Sequence, residues 1–136
     1  MSHPETEKAD TNRGLAFFLC DNDFNRLHSA FMLAASALAM NRKVILFATG
    51  LGTKALCRED RFDAAWQTAE EVLTGQGIAT MATLREMIVA MHADLLVCET
   101  GLRRTGLKAE DMVEGIKIVG IPTFLDLSHD YKVITF

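Results

Sequence analysis

The sequence has no cluster of positive charge. Its longest basic stretch is the pair Arg103–Arg104, and the formal net charge of the 136 residues is −4. Nucleic-acid binding requires clustered lysine and arginine to neutralise phosphates. We therefore expect no nucleic-acid partner.

Long apolar runs are also missing. The longest, residues 30–40, is interrupted by Ser36 and is shorter than the roughly 20 residues that cross a bilayer. The first thirteen residues are polar and lack the apolar core of a secretion signal. These features predict a cytoplasmic protein with no membrane partner.

Closely spaced metal ligands and paired cysteines are absent as well. The three cysteines, Cys20, Cys57 and Cys98, are far apart, so no C-x-x-C motif occurs and a disulfide scaffold is not expected. The four histidines are scattered, without the spacing of a metal site. The sequence predicts no metal and no organic cofactor.

The composition that remains is that of a globular domain, with 49% hydrophobic and 24% charged residues. Apolar segments alternate with segments of helical periodicity, which predicts a single α/β domain with a mostly parallel sheet and helices on both faces, layered as in flavodoxin. We place this domain at residues 14–136, after a flexible segment at residues 1–13. The predicted strands are residues 15–20, 43–49, 94–98, 116–121 and 131–136. The predicted helices are residues 24–40, 62–73, 84–91 and 99–105, with one or two helical turns at residues 108–115 and a plain connection at residues 122–130.

Two cysteines fall where an open parallel sheet binds its ligands, beyond the carboxyl ends of the strands. Cys20 follows the first predicted strand and Cys98 follows the third. In the strand order 2-1-3-4-5, which is that of flavodoxin, these two strands are neighbours. That order would place both thiols together.

Cys98 is the stronger candidate for a reactive thiol. A thiol at the start of a helix has its pKa lowered by the helix dipole, and Arg103 and Arg104 add positive charge, while Glu99 opposes them. A thiolate accepts sulfane sulfur as a persulfide or attacks a disulfide. The alternative is a small apolar side chain that ends a buried strand. Cys20 has the same two interpretations, and Cys57, which precedes three charged residues, is expected at the surface or in a loop.

A glycine-rich segment follows the second strand. Gly50, Gly52 and Ala55 match G-x-G-x-x-A, the loose dinucleotide fingerprint, although that motif belongs after the first strand of its unit. The alternatives are a tight turn, or loop amides that hold a small anion with Asp21 as a polar contact. We expect structural roles for His28 and His92. Trp66 is expected in the core, and the methionines are expected in the core or at subunit contacts, namely Met81, Met87, Met91 and Met112.

Two segments resemble the DsrE/DsrF-like family. Residues 15–52 are similar to its opening strand, long helix, second strand and glycine loop. Residues 94–120, DLLVCETGLRRTGLKAEDMVEGIKIVG, are similar to a strand that ends in cysteine, followed by a short helix, a glycine and an E-D-x-x-E-G turn. The sequence departs from the family pattern at Glu99, where a small or apolar residue is more familiar.

The resemblance implies a sulfur carrier or sulfurtransferase that holds sulfur as a persulfide on Cys98. It implies sulfur donor and acceptor proteins as partners, and a homo-oligomer built on trimers. It assigns no role to Cys20.

Three alternatives remain open. The first is a non-catalytic module that binds a small anion or nucleotide near Gly50, Gly52 and Asp21. The second is an oligomeric scaffold with an unreactive Cys98. The third is a thiol-redox protein, which requires a disulfide between Cys20 and Cys98.

Overall fold

Strands and helices alternate through residues 13–136, the part of the chain that the structure, a computed structural model, describes. The strands are β1 (Leu15–Leu19), β2 (Val44–Ala48), β3 (Asp94–Val97), β4 (Lys117–Ile118) and β5 (Lys132–Thr135). The α-helices are α1 (Phe24–Ala39), α2 (Ala64–Gly75), α3 (Met81–Ala90), α4 (Glu99–Thr105) and α5 (Ile121–Leu127). Short 3-10 segments occupy Gly50–Leu56, Glu59–Arg61 and Ala109–Asp111. The predicted flexible segment lies outside the described residues, except for Arg13.

The five strands form one parallel sheet in the order β4-β3-β2-β1-β5. The predicted order 2-1-3-4-5 is therefore wrong. That order would place β2 at an edge, yet all five residues of β2 are buried, which is typical of a central strand. The edges are taken instead by β4, which has only two residues, and by β5, whose first residue is Lys132.

Helices cover both faces of the sheet, as predicted. On the first face, alternate residues of β1 and β2, such as Phe17 and Leu46, pack with buried residues of α1 and α3, such as Phe31 and Ile88. The second face is covered by a single short helix. There Ile45, Phe47, Leu96 and Cys98 form a smaller cluster with Phe124 of α5.

Helix α5 replaces the plain connection predicted at residues 122–130. Pro122 lies in its first turn, where proline needs no hydrogen-bond partner for its nitrogen. The helix has only seven residues, too few for its apolar spacing to establish a helical repeat in the sequence. The predicted fourth strand, residues 116–121, is reduced to Lys117–Ile118, and the predicted helical turns at residues 108–115 reduce to the 3-10 segment Ala109–Asp111.

The starts of α1 at Phe24 and of α4 at Glu99 agree with the predicted helices, whereas α2 begins at Ala64 and α3 at Met81 and not at the predicted residues 62 and 84. The Asp23 carboxylate accepts a hydrogen bond from the Arg26 amide at 2.9 Å and caps α1. Thr80 caps α3 in the same way, through a hydrogen bond of 3.1 Å from the Thr83 amide.

The segment Gly50–Leu56 crosses the carboxyl end of β1. The Gly52 amide donates to the Thr49 carbonyl at 3.0 Å, and a Cβ atom at Gly52 would overlap the Leu19 carbonyl. Glycine is required here because the two backbones approach each other more closely than any side chain allows.

Replacing Gly52 with alanine is expected to destabilise the fold by about 1–3 kcal/mol, because the new methyl group must displace backbone rather than a flexible side chain. Chemical denaturation of the full chain measures this loss. The matched control is Gly75→Ala at the end of α2, where nothing lies within 4 Å of the added atom. That variant should be neutral or more stable by up to about 1 kcal/mol. Equal stabilities of the two variants would contradict the close approach at Gly52.

Candidate functional site

Cys98 links β3 to α4 at the carboxyl edge of the sheet. Its amide donates to the Ala48 carbonyl at 2.9 Å, which extends the pairing of β2 and β3 by one residue. Its carbonyl accepts the first hydrogen bond of α4, from the Leu102 amide at 3.1 Å. Only 7% of Cys98 is exposed, and its side chain belongs to the cluster around Phe47 and Phe124.

Polar donors converge on the sulfur of Cys98. Burial raises the pKa of this thiol, and the neighbouring amides of Gly101 and Thr100 and hydroxyls of Thr49 and Thr100 lower it by stabilising the thiolate. The net effect is a pKa below the ordinary value of a cysteine, because hydrogen bonds to the charged form favour it. The site therefore favours a thiolate.

Close packing holds these donors in place. The Thr53 hydroxyl donates to the Gly50 carbonyl at 2.8 Å, and Thr53 is fully buried. A Cβ atom at Gly101 would overlap the Thr53 hydroxyl and would lie 3.1 Å from the Gly50 amide nitrogen. Helix α4 thus packs directly on the segment Gly50–Leu56, and the predicted glycine loop and Cys98 belong to one site.

Thr49 and Thr100 were not predicted as site residues. Each follows the end of a buried strand, by one residue after β2 for Thr49 and by three after β3 for Thr100. The sequence does contain one signal for them, because both are hydroxyl side chains close to the ends of strands that precede or carry a candidate thiol. Without the strand order, nothing in the sequence placed Thr49 beside Cys98 rather than beside Cys20.

The two arginines proposed to polarise the site lie in the last turn of α4. The guanidinium of Arg103 is 3.3 Å from the Glu99 carboxylate, and both side chains are largely exposed. This pair balances the charge of Glu99, the residue expected to oppose thiolate formation. Arg104 is exposed on the same turn.

Cys20 lies at the same edge of the sheet but on the other side of β2. It is exposed, and both its amide and its thiol donate to the Phe136 carbonyl, at 2.9 and 3.2 Å. Since β1 and β3 are separated by β2, two spacings of about 4.8 Å place them roughly 10 Å apart. A disulfide requires Cα atoms within about 7 Å, so the predicted proximity of the two thiols is wrong.

The Asp21 carboxylate and the Gly52 amide have local partners. The Asp21 carboxylate accepts from the amides of Asn22 and Asp23 at 2.7 and 3.2 Å, as in an Asx turn. The amide of Gly52 is taken by Thr49. The G-x-G-x-x-A match is followed by a 3-10 segment, not by the α-helix that a dinucleotide fingerprint requires.

Cys57 lies in the connection between two 3-10 segments, in agreement with the expected loop, but it is fully buried and so does not lie at the surface. It pairs with Met112 in an isolated antiparallel bridge, which turns its side chain inward while the following charged residues face solvent. Burial raises the pKa of the Cys57 thiol, and the nearby charges of Arg85 and Lys54 counter this only in part. Cys57 is thus expected to be unreactive, and its thiol serves as a comparison for the reactivity of Cys98.

The central histidine of α1 has the structural role predicted for it, because His28 Nε2 lies 2.8 Å from the Ala79 carbonyl. Within residues 13–136, no group of three or more histidine, cysteine or acidic side chains is placed to hold a metal ion. No helix in the same range is long and apolar enough to pass through a bilayer.

A model of the DsrE/DsrF-like family matches residues 15–136, almost the whole chain. The chain belongs to the DsrE/DsrF-like family. A search of curated proteins gives no match.

Two solved structures share the DsrE/DsrF-like fold described above. A protein of unknown function from Methanobacterium thermoautotrophicum, MTH1491, is 19% identical and superimposes with a TM-score of 0.59. The ychN protein from E. coli is 14% identical with a TM-score of 0.58. Each comparison covers 91% of this chain and 99% of the other. At these identities the likeness concerns the fold alone.

In this DsrE/DsrF-like chain, removing one donor to the sulfur should raise the pKa of Cys98. We expect Thr49→Val to shift it upward by about one unit or less, since one hydrogen bond contributes about 1 kcal/mol and one unit corresponds to about 1.4 kcal/mol. The alkylation rate of Cys98 as a function of pH, followed by peptide mass spectrometry, should move to higher pH. The control Thr74→Val removes a hydroxyl that bonds the Glu70 carbonyl on α2 and should leave the curve in place. An unchanged curve in Thr49→Val would rule out the hydroxyl as a donor.

Proposed function

We propose that this protein is a sulfur carrier or sulfurtransferase that holds sulfane sulfur as a persulfide on Cys98. Membership of the DsrE/DsrF-like family suggests a role of the sulfur-relay type. The observation that carries the proposal is the set of donors around the Cys98 sulfur, which lowers the pKa of its thiol. Neither of the other cysteines has such surroundings.

The transfer is a displacement at sulfur. The Cys98 thiolate attacks the outer sulfur of a donor persulfide, so that one S–S bond forms as the donor's S–S bond breaks. The donor leaves as a thiolate with the electron pair of the broken bond. An acceptor thiolate then attacks the outer sulfur on Cys98 and regenerates the Cys98 thiolate. No net oxidation occurs, so the cycle requires no metal, flavin or other redox cofactor.

The surroundings of Cys98 suit both halves of this cycle. The hydroxyl and amide donors stabilise the anion that exists before loading and after release. On its other side the sulfur borders the apolar cluster of Phe47 and Phe124, whose rings stack at 4.8 Å. This cluster keeps water away from one side of the bound sulfur.

The partners in this proposal are a sulfur donor protein and an acceptor protein in the cytoplasm. A reducing compartment keeps free cysteines as thiols, which a persulfide relay requires. All three cysteines are free in the structure.

Intact-protein mass spectrometry after incubation with a persulfide donor tests the carrier role. Wild type, Cys20→Ser and Cys57→Ser should each gain one sulfur atom, and a reductant should remove it. Cys98→Ser should gain none, because serine supplies no sulfur nucleophile at this site. An adduct that persists in Cys98→Ser, or no adduct in wild type, would exclude Cys98 as the carrier.

We further propose that the chain forms a homo-oligomer built on trimers through the face that carries α5. Helix α5 is the one helix on the second face, and three of its apolar side chains, Ile121, Leu125 and Leu127, are largely exposed. Val133 of β5, on the same face, is exposed as well. Exposed apolar side chains grouped on one face of a sheet are typical of contacts between subunits.

Leu125→Glu should shift the mass measured by light scattering toward that of a monomer, because a charge at the contact loses its hydration. Leu125 is 60% exposed, so the monomer itself should tolerate the change. The control Val72→Glu, on α2 at a position that is 54% exposed, should leave the assembly intact. A monomeric wild type, or an unchanged assembly in Leu125→Glu, would rule out this contact.

A further inference from the structure

Arg85 of α3 is a buried cation without an acidic partner. It is 6% exposed, and within residues 13–136 no carboxylate lies within ion-pair distance of it. Its Nε atom is fully buried and has no hydrogen-bond partner among the described residues. Burying a guanidinium in this way costs free energy, so its remaining contacts must offset that cost.

Those contacts all lie around the end of the segment Gly50–Leu56. One guanidinium nitrogen, Nη1, donates to the Ala55 carbonyl at 3.1 Å and to the Cys57 carbonyl. The guanidinium also lies 4.8 Å from the centre of the Phe62 ring, in a cation–π contact. The last carbonyls of a helical segment have no partners within it, and Arg85 supplies partners at this end.

The other end of the same segment lies against the Cys98 site. Thr49 immediately precedes it, and Gly50 is tied to Thr53 by the buried hydroxyl hydrogen bond of 2.8 Å. Thr53 in turn borders Gly101, which lies three residues after Cys98 in the first turn of α4. The seven-residue 3-10 segment Gly50–Leu56 therefore connects the carbonyls that Arg85 binds with the polar groups around Cys98.

We propose that Arg85 is a positioning residue for Cys98, which acts by fixing the segment Gly50–Leu56 against α4 so that Thr49 and Gly101 remain within reach of the sulfur. Arg85 does not touch the sulfur. The proposal rests on the proposed function in that the site it serves is the Cys98 site, but its test needs no sulfur transfer.

The test compares two Arg85 variants with a control on the same helix. Arg85→Met keeps the length and removes the donors. Arg85→Lys keeps the charge but loses the planar group that reaches two carbonyls at once. The control Thr80→Ala removes the N-cap of α3 and should lower its thermal stability without touching the segment. All variants carry Cys20→Ser, which leaves Cys98 as the reactive thiol, because Cys57 is fully buried.

The measurements are the melting temperature and the alkylation rate of Cys98 as a function of pH. In Arg85→Met we expect the midpoint of the alkylation curve to rise by about 0.5–1 pH unit, which corresponds to about three- to tenfold less thiolate at neutral pH. Arg85→Lys should show a smaller rise. Thr80→Ala should melt at a lower temperature with an unchanged midpoint, which separates positioning from a general loss of stability.

An unchanged midpoint in both Arg85 variants would overturn the proposal and leave Arg85 as a stabilising residue only. If Arg85→Met does not fold, the alkylation midpoint of Arg85→Lys alone decides whether Arg85 positions the site: a raised midpoint supports the proposal and an unchanged midpoint overturns it. Persulfide formation is scored separately on the same proteins. A shifted midpoint together with no persulfide in wild type would refute the sulfur-carrier function and still uphold the positioning role. Persulfide formation with an unshifted midpoint would refute the positioning role alone.

Discussion

Direct backbone packing between α4 and the segment Gly50–Leu56 is the constraint on which the rest of the site depends. Gly101 leaves no room for a side chain against Thr53, and Gly52 leaves none against the end of β1. Three parts of the chain that are far apart in sequence are thereby held at one edge of the sheet. Without this packing, the hydroxyl and amide donors would not converge on one sulfur atom, and Cys98 would be an ordinary buried cysteine at the end of a strand.

The three cysteines show how strongly the same side chain responds to its surroundings. Cys57 is enclosed and its thiol is held in the neutral form by desolvation, even with a cation nearby. Cys98 lies at the edge of the sheet with 7% of its surface exposed, and the amides and hydroxyls beside its sulfur lower the pKa of its thiol. Cys20 is open to solvent. The opposite pKa shifts of Cys57 and Cys98 therefore reflect the balance between desolvation and the polar groups beside each sulfur.

Much of the fold was predictable from the sequence because the signals were local and strong. The wholly apolar β1 and β2, the capping aspartate before α1 and the cysteine at the end of β3 each follow from a few consecutive residues. The strand order was not predictable in the same way, since it depends on which strands must be shielded at both edges. The burial of all five residues of β2 contains that information, but it becomes visible only in the assembled sheet.

The sequence predicted two parts of the candidate site, Cys98 and the glycine loop at residues 50–52. Cys98 was identified from its place after a buried strand, whereas Thr49 and Thr100 depend on the pairing of β2 with β3. Arg103 and Arg104 are candidates because of their charge, but on the predicted helix at residues 99–105 the i, i+4 spacing of Glu99 and Arg103 already indicates the ion pair that the structure contains. Arg85 gave no signal at all, because an arginine on an amphipathic helix is expected to face solvent.

The position of β2 between β1 and β3 also determines how the protein responds to oxidants. Cys20 is exposed and has no second cysteine within bonding distance in the same molecule. Oxidation of Cys20 therefore leads to mixed disulfides with small thiols or to covalent links between two chains, not to a closed loop within one. On a non-reducing gel, an oxidised preparation would show bands of doubled mass.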